Sequence, residues 1–540
     1  MSELVALLDT GSSDKGRFVF PAIGSAVGTR QLWGAAEKAA RHLRMNASHG
    51  ETIGAILTAT PDSLALVVGA LRAGLSMCSL PTPARGMSIE DYVAQVRHLL
   101  KRTHARTLFV DSEYLPIFAG SARSVRSIAS IALGRTNGRS DALPDDGVII
   151  QCSSGTTGRP KPIILSQQAV AANITALMNR LELQAGDRSV SWLPLSHDMG
   201  LFGFALLPWC AGARDICNGG DAILLPPESF LADPSCWMKS CAKLGATISG
   251  APPFALEMAV AKEHRPGRDS LRRMRALLVG ADLIPALTLE RFSAAFADSG
   301  LDASTITPAY GMAEAALGIA MVRPGDGWST RVVANEETQR QFVSCGKAVD
   351  GMTVTTETEG VGRLIVRGDS LFSGYYAEHQ RTADEGLLTG DLGTIAGGEV
   401  IPMGRVDDVL MIDGRKVLAQ DIEAATQGDG VRSGSPVAFQ DDGQITLFCE
   451  LTKHSESPDR VCELARRRVA QQMGFRVTVC AVQNGVVPKS PSGKLQRHAV
   501  RGVAPTMLLG SSGRRRNQPQ LATPQEQPTI LPPPHRPSAD

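Results

Sequence analysis

The stretch Gln151-Cys152-Ser153-Ser154-Gly155-Thr156-Thr157-Gly158-Arg159-Pro160-Lys161 decides how the rest of the chain is read. It follows the apolar run Gly147-Val148-Ile149-Ile150, which reads as a strand. Two glycines let the backbone turn where a side chain would clash. The hydroxyls of Ser153, Ser154, Thr156 and Thr157 and the free N–H groups then face one small volume. Such a cradle suits a polyphosphate, whose oxygens accept many donors. Lys161 adds a point charge for the outer phosphates. The spacing is not that of the common Gly-x-x-x-x-Gly-Lys-Ser/Thr loop. A Ser- and Gly-rich surface turn is the bland alternative, and the motifs that follow weigh against it.

Outward from this loop, strands and helices alternate. Helical stripes fall at 30–45 (Leu32, Ala36, Ala39, Ala40, Leu43), from Pro61 to Gly74, near Ile89 to Arg102 and over Ser166 to Arg180. Strands are expected at Thr52 to Leu57 and Thr107 to Val110. The pattern predicts an α/β protein with layered, mostly parallel sheets. Ligands in such folds gather at the carboxyl ends of strands, where the Gly-rich loop itself sits.

Length and composition narrow the class. At 540 residues the chain exceeds one ordinary domain. A net charge of +1 argues against a nucleic-acid surface or a polybasic membrane patch. Apolar runs stop well short of about 18 residues, so no membrane span is expected, and no signal peptide is read at the start. The ten cysteines fit no zinc spacing and read as reduced thiols of a cytoplasmic protein.

Further motifs sit at expected strand ends. Trp192-Leu193-Pro194-Leu195-Ser196-His197-Asp198-Met199-Gly200 is a polar cluster in apolar surroundings, read either as a buried structural pair or as a site with His197 as a catalytic candidate. Ala246 to Leu256 reads as a strand end that turns into a helix, and Leu277 to Val279 runs into the small-residue turn Gly280-Ala281-Asp282. Tyr310-Gly311-Met312 offers a flat face against open space, or simple packing. Glu314 is read as a Mg²⁺ ligand or as a helix-start acid. Asp391, between Gly390 and Gly393, is placed to accept two ribose hydroxyls, or is an ordinary turn residue. Charged, glycine-marked sequence from Gly404 marks a domain boundary. Beyond it a small α/β unit is expected, with strands at Pro436 to Phe439, Ile445 to Leu451 and Val477 to Val482 and a helix at Asp459 to Gln472. An exposed turn then carries Lys494. Seven of the 32 prolines fall between Pro519 and Asp540, so the tail is read as disordered.

Taken in order, S-S-G-T-T-G-R-P-K, Y-G-M-A-E, T-G-D-L-G, G-R-V-D-D and P-S-G-K resemble the signature series of the adenylate-forming superfamily. S-W-L-P-L-S-H-D-M-G-L-F-G, S-G-A-P-P-F-A-L and G-R-K-V-L-A-Q-D-I-E resemble its fatty acyl-AMP ligase branch. The resemblance covers about residues 30 to 503. It implies a large N-terminal domain (1–404), a small mobile α/β lid (405–505) and a tail (506–540). It implies that ATP and Mg²⁺ are used to make an acyl adenylate from a fatty or aryl carboxylic acid. The acyl group then passes to an acyl carrier protein on a separate chain, or to coenzyme A. A non-catalytic nucleotide- or acyl-binding homologue is the third reading. By the same resemblance Ser153 to Lys161 hold phosphates, Tyr310 stacks on adenine, Glu314 binds Mg²⁺, and Asp391 with Arg405 holds ribose. Gly280, Ala281, Asp282, Gly311 and Met312 complete the nucleotide site. Asp407 is the hinge, Lys494 the catalytic lysine with His197 beside it, and Phe202, Ser249, Gly250 and Phe254 line an acyl pocket. Pro162, Gln167 and Asp407 depart from the usual pattern, and the segment from Glu314 to Gly346 reads as short for an acyl-AMP ligase.

Overall fold

The computed structural model describes residues 3–9, 15–83, 87–133, 147–153, 160–214, 220–262, 264–334, 339–376, 385–412 and 415–426. Beyond these it describes 428, 430–432, 434–441, 443–452, 455, 457–487, 495, 497–500 and 508–512. The chain forms two compact units, Met1–Gln420 with Lys489–Gln496, and Asp421–Pro488 with Arg497–Asp540.

The first unit is built on two large sheets. At the centre of a thirteen-stranded sheet six strands run parallel, in the order Ile306–Gly311, Ala276–Val279, Ile248–Ala251, Ser189–Ser191, Asp221–Leu224 and Arg17–Phe20. Antiparallel strands extend it past Ile306–Gly311, through Gly318–Met321 to the pair Leu387–Ala396 and Glu399–Arg405. In a seven-stranded sheet, Ser124–Ser127, Thr107–Val110, Thr52–Ala55, Ser76–Ser79 and Ile149–Ser153 are parallel, and Lys161–Leu165 and Gly374–Tyr375 close the far edge antiparallel. Every residue of Thr52–Ala55 and of Ile248–Ala251 is buried. That is why these strands read as continuous small and apolar runs rather than as alternation.

Helices cover the sheets along the stripes expected from sequence. In Thr29–Asn46 the buried face holds Leu32, Ala36, Ala39, Ala40 and Leu43. It crosses Pro61–Arg72 at Gly69, where a Cβ would stand 2.5 Å from that of Ala39, so the close approach requires glycine. Pro61–Arg72 begins with Thr60 as cap, its hydroxyl accepting from the Ser63 amide, and with proline in the first turn. Ser166 caps Gln167–Arg180 in the same way, 3.0 Å from the Ala169 amide.

The second unit pairs Val437–Asp441 antiparallel with Gln444–Glu450, which runs parallel to Thr478–Val482. The helix Pro458–Met473 stops at Gly474, whose φ is 77°. Leu508–Ser512 adds a fourth strand, antiparallel to Thr478–Val482. Order thus continues into the stretch assigned above to the tail. The reason is local: 508–512 lies before the first of the seven prolines, and all its backbone bonds are available for pairing. Residues 513–540 lie outside the described residues. Among the described residues no helix is long and apolar enough to cross a membrane.

Candidate functional site

Four neighbouring parallel strands of the large sheet end in the segments that the sequence singles out. Ser189–Ser191 leads to His197, Ile248–Ala251 to Phe254, Ala276–Val279 to Gly280-Ala281-Asp282, and Ile306–Gly311 to Met312 and Glu314. The topology therefore collects residues more than a hundred positions apart along one carboxyl edge. The edge is tight. A Cβ at Gly280 would meet the Ala309 carbonyl at 2.8 Å, and one at Gly311 the Leu317 carbonyl at 1.9 Å. Ala281 sits at φ 68°, in the left-handed region a side chain disfavours; such strain persists where the surroundings over-determine it, commonly at functional sites. Asp282 is exposed and accepts the Leu283 amide at 2.8 Å.

Beside this edge stands an aromatic and charged cluster. The Tyr310 hydroxyl donates to Asp391 Oδ2 at 2.9 Å, and Arg405 Nε lies 3.6 Å from Asp391 Oδ1. Asp391 and Arg405 face each other as register partners on adjacent antiparallel strands. Burial, and then the Asp391 charge, push the Tyr310 hydroxyl well above the ordinary tyrosine range. Tyr310 therefore stays a donor at any working pH. The Asp391 amide donates to Thr389 Oγ1 at 3.1 Å, and Thr389 Oγ1 donates to the Leu364 carbonyl at 2.8 Å, which fixes the turn carrying the carboxylate.

Glu314 lies in the short 3₁₀ turn Ala313–Ala315. Its carboxylate accepts the Tyr375 hydroxyl at 2.9 Å, and its carbonyl accepts the Phe372 amide at 2.8 Å. Burial pushes its carboxyl above the usual glutamate range, and the like charge of Asp198 adds to this. Lys161 Nζ stands 5.1 Å from the centre of the Tyr375 ring, a cation–π distance. Tyr375 thus joins the lysine that follows the Gly-rich loop to the candidate metal ligand. Sequence reading missed it; the signal available was the Gly374-Tyr375 pair, whose strand pairs with Lys161–Leu165.

His197 and Asp198 form a direct pair, Nδ1 to Oδ1 at 2.6 Å, and Asp198 Oδ1 also accepts the Met199 amide at 2.7 Å. The turn that holds them is closed by His197 N to the Pro194 carbonyl at 3.0 Å. It runs into a π-helix, Met199–Leu206, an element that sequence periodicity does not reveal and that is frequent at functional sites.

The profile of the AMP-binding enzymes matches residues 12–376. The chain belongs to the AMP-binding enzyme family. It is 31% identical over 406 residues to the long-chain-fatty-acid–AMP ligase FadD26 of Mycobacterium bovis, covering 65% of this chain and 68% of that protein. It is 29% identical over 524 residues to 4-hydroxyphenylalkanoate adenylyltransferase of Mycobacterium tuberculosis, covering 85% and 83%. A structure from structural and functional studies of fatty acyl-adenylate ligases from E. coli and L. pneumophila superposes with a TM-score of 0.83 at 26% identity, over 92% of this chain and 96% of that one. This protein is accordingly an adenylate-forming ligase, similar to fatty acyl-AMP ligases.

In this AMP-binding enzyme Ser249 and Gly250 lie on the strand Ile248–Ala251, Phe254 follows it at the start of a helix, and Phe202 lies in the π-helix. Phe202 is fully buried, and Gly250 is packed so closely that a Cβ would meet Met199 Cε at 2.7 Å and Phe204 Cζ at 2.9 Å. Ser249 is buried, donating to the Val190 carbonyl at 2.6 Å and accepting from Trp237 Nε1 at 2.8 Å. The half-buried Phe254 meets Trp192 edge-on at 6.4 Å, and Trp192 stacks on Phe230 at 3.8 Å. Of the departures from the usual pattern, Gln167 donates to the Gly147 carbonyl at 2.9 Å and Pro162 offers its carbonyl to Tyr376 N at 2.9 Å. Asp407 is exposed in the 3₁₀ turn Val406–Asp408. A hairpin, Thr330–Ala334 with Gln339–Val343, occupies the segment that reads as short. Ser153 ends its strand, while Ser154, Gly155, Thr156, Thr157, Gly158 and Lys494 lie outside the described residues.

Proposed function

We propose that the protein activates a fatty or related carboxylic acid as its acyl adenylate and passes the acyl group to the phosphopantetheine thiol of a separate acyl carrier protein. The observation that supports this most is the pair of clusters at the end of Ile306–Gly311: Tyr310 with Asp391 and Arg405, and Glu314 with Tyr375 and Lys161. The family likeness supports the first step; the acceptor is our reading.

In the first step a carboxylate oxygen bonds to the α-phosphorus of ATP. The bond to the bridging oxygen breaks, and its electron pair leaves with pyrophosphate. Two anions must approach, so positioning and cationic stabilisation carry the rate. Tyr310 gives adenine a ring to lie on. Asp391, held by Arg405, accepts the ribose hydroxyls. Lys161 with the Gly-rich loop binds the outer phosphates, and Lys494 supplies positive charge where carboxyl and phosphorus join. A divalent cation fits Glu314: an enclosed carboxylate with a like charge near it gains from a hard cation. When bound, Mg²⁺ would add positive charge against the phosphates. In the second step the thiol sulfur attacks the acyl carbonyl, AMP leaves, and the thiol proton goes to solvent. We assign residues 405–505 as the lid and Asp407 as its hinge between these steps. The apolar side chains near Phe202, Gly250 and Phe254 suit an apolar acyl group. The nine described cysteines are not in disulfides, which suits a cytoplasmic protein.

The test is carboxylate-dependent pyrophosphate release across a panel of fatty and aryl acids, followed by transfer assays with a phosphopantetheinylated carrier and with coenzyme A. Release with fatty acids and transfer to the carrier are expected. Transfer to coenzyme A alone would overturn the acceptor, and absence of release with every acid would overturn the adenylation.

A further inference from the structure

The residue that sequence reading left without a role at the head of the Gly-rich stretch is Gln151. It is 2% exposed. It sits on Ile149–Ser153, one of the parallel strands of the seven-stranded sheet, two residues before Ser153. Its Nε2 donates to the carbonyl of Ser196. Ser196 belongs to the other sheet's strand-end turn and immediately precedes His197. A carbonyl can only accept, so the amide must present its N–H₂ here. The bond therefore ties the root of the phosphate loop to the turn bearing the His197–Asp198 pair.

That turn is closed by its own bonds and packing. His197 N bonds the Pro194 carbonyl, Leu201 N bonds the His197 carbonyl at 2.9 Å, and a Cβ on Gly200 would stand 2.1 Å from the Pro194 carbonyl. Fixing Ser196 thus fixes His197. Stability does not explain the residue. Gln151 Oε1 is buried without a partner among the described residues, and so is Ser79 Oγ at the register-paired position of the next strand. An orphaned buried acceptor costs more than one hydrogen bond returns, so an apolar side chain of the same shape would serve the core better. Local rules of this kind are broken mainly at functional sites.

We propose that Gln151 is a positioning residue that holds His197 against the strand end carrying Ser153 and its register partner Lys161, and so sets how the acyl carboxylate meets ATP. This rests on the adenylation reading above. Replacement of Gln151 by methionine keeps the volume and removes the donor; Gln151→Glu keeps the shape and turns a repelling oxygen on Ser196. In the intact protein Gln151→Met is expected to melt near wild type and Gln151→Glu below it; whichever variant is folded is expected to keep ATP affinity within about twofold and to form adenylate at least tenfold more slowly. In a His197→Ala background the same substitution is expected to add less than twofold, because both act through one group. Full adenylation by a folded Gln151 variant, or multiplicative losses in the double variant, overturns the inference. Lack of adenylation by the wild type overturns the reading beneath it instead.

Discussion

Glu450 and Glu314 are carboxylates drawn out of water in two different units, and their surroundings differ in kind. Glu450, on Gln444–Glu450 of the small unit, receives Arg432 Nη1 at 2.9 Å, Gly485 N at 2.8 Å and Val487 N at 3.3 Å. Both oxygens are engaged by donors, and the carboxylate ties the turn after Thr478–Val482 to the sheet. Glu314 receives a tyrosine hydroxyl, faces the like charge of Asp198, and holds its proton more tightly than an ordinary glutamate. The first arrangement is a completed structural knot. The second leaves a carboxylate short of positive charge, which is what a cation or a phosphate-bound metal would supply. Burial alone does not separate structure from function; the degree to which donors have already met the charge does.

Exchanging the two residues for glutamine tests that distinction. Glu314→Gln is expected to lower adenylate formation about 100-fold, or about 2.7 kcal/mol of transition-state stabilisation, with no loss of melting temperature. A variant that keeps its rate, or that unfolds, breaks the contrast. Glu450→Gln is expected to cost about 1–3 kcal/mol of small-unit stability, since a donor amide then faces groups that need an acceptor. Denaturant unfolding followed by hydrogen exchange in Gln444–Glu450 and Thr478–Val482 checks this, and an unchanged midpoint contradicts it. The smallest effect is expected for Tyr310→Phe, which removes one hydrogen bond to Asp391, about 1 kcal/mol at neutral pH. Its sign against pH is fixed. Tyrosine ionises near 10 when unfolded and well above that here, so the folded state holds this proton more tightly. The stability this contributes is complete below pH 10 and is lost as pH rises through the folded value. Wild type should therefore fall off more steeply than Tyr310→Phe above pH 10, and parallel curves would count against the buried phenol.

Much of this site was legible in the chain because it is written in strand ends. A strand followed by glycine and a polar residue reads the same in sequence and in space, so Gly280 to Asp282 and Tyr310 stand at the ends of parallel strands as the sequence suggests, while Asp391 lies on an antiparallel strand beside them. What escaped were contacts between elements far apart in sequence. Tyr375 looks like an ordinary edge-strand aromatic until pairing brings it to Lys161 and its hydroxyl to Glu314. Gln151 looks like part of a strand until its amide is seen on Ser196. The π-helix after His197 carries an apolar run whose periodicity resembles any buried segment. The strand Leu508–Ser512 was lost because composition averages over the proline-rich residues that follow it.

The central claim is that this edge joins a carboxylate to the α-phosphorus of ATP. A fatty acid carrying ¹⁸O in both carboxylate oxygens, turned over with ATP, Mg²⁺ and a carrier thiol, tests it most directly. The account predicts that AMP emerges with one labelled oxygen on its phosphate while pyrophosphate carries none. Unlabelled AMP, or label in pyrophosphate or phosphate, would contradict it.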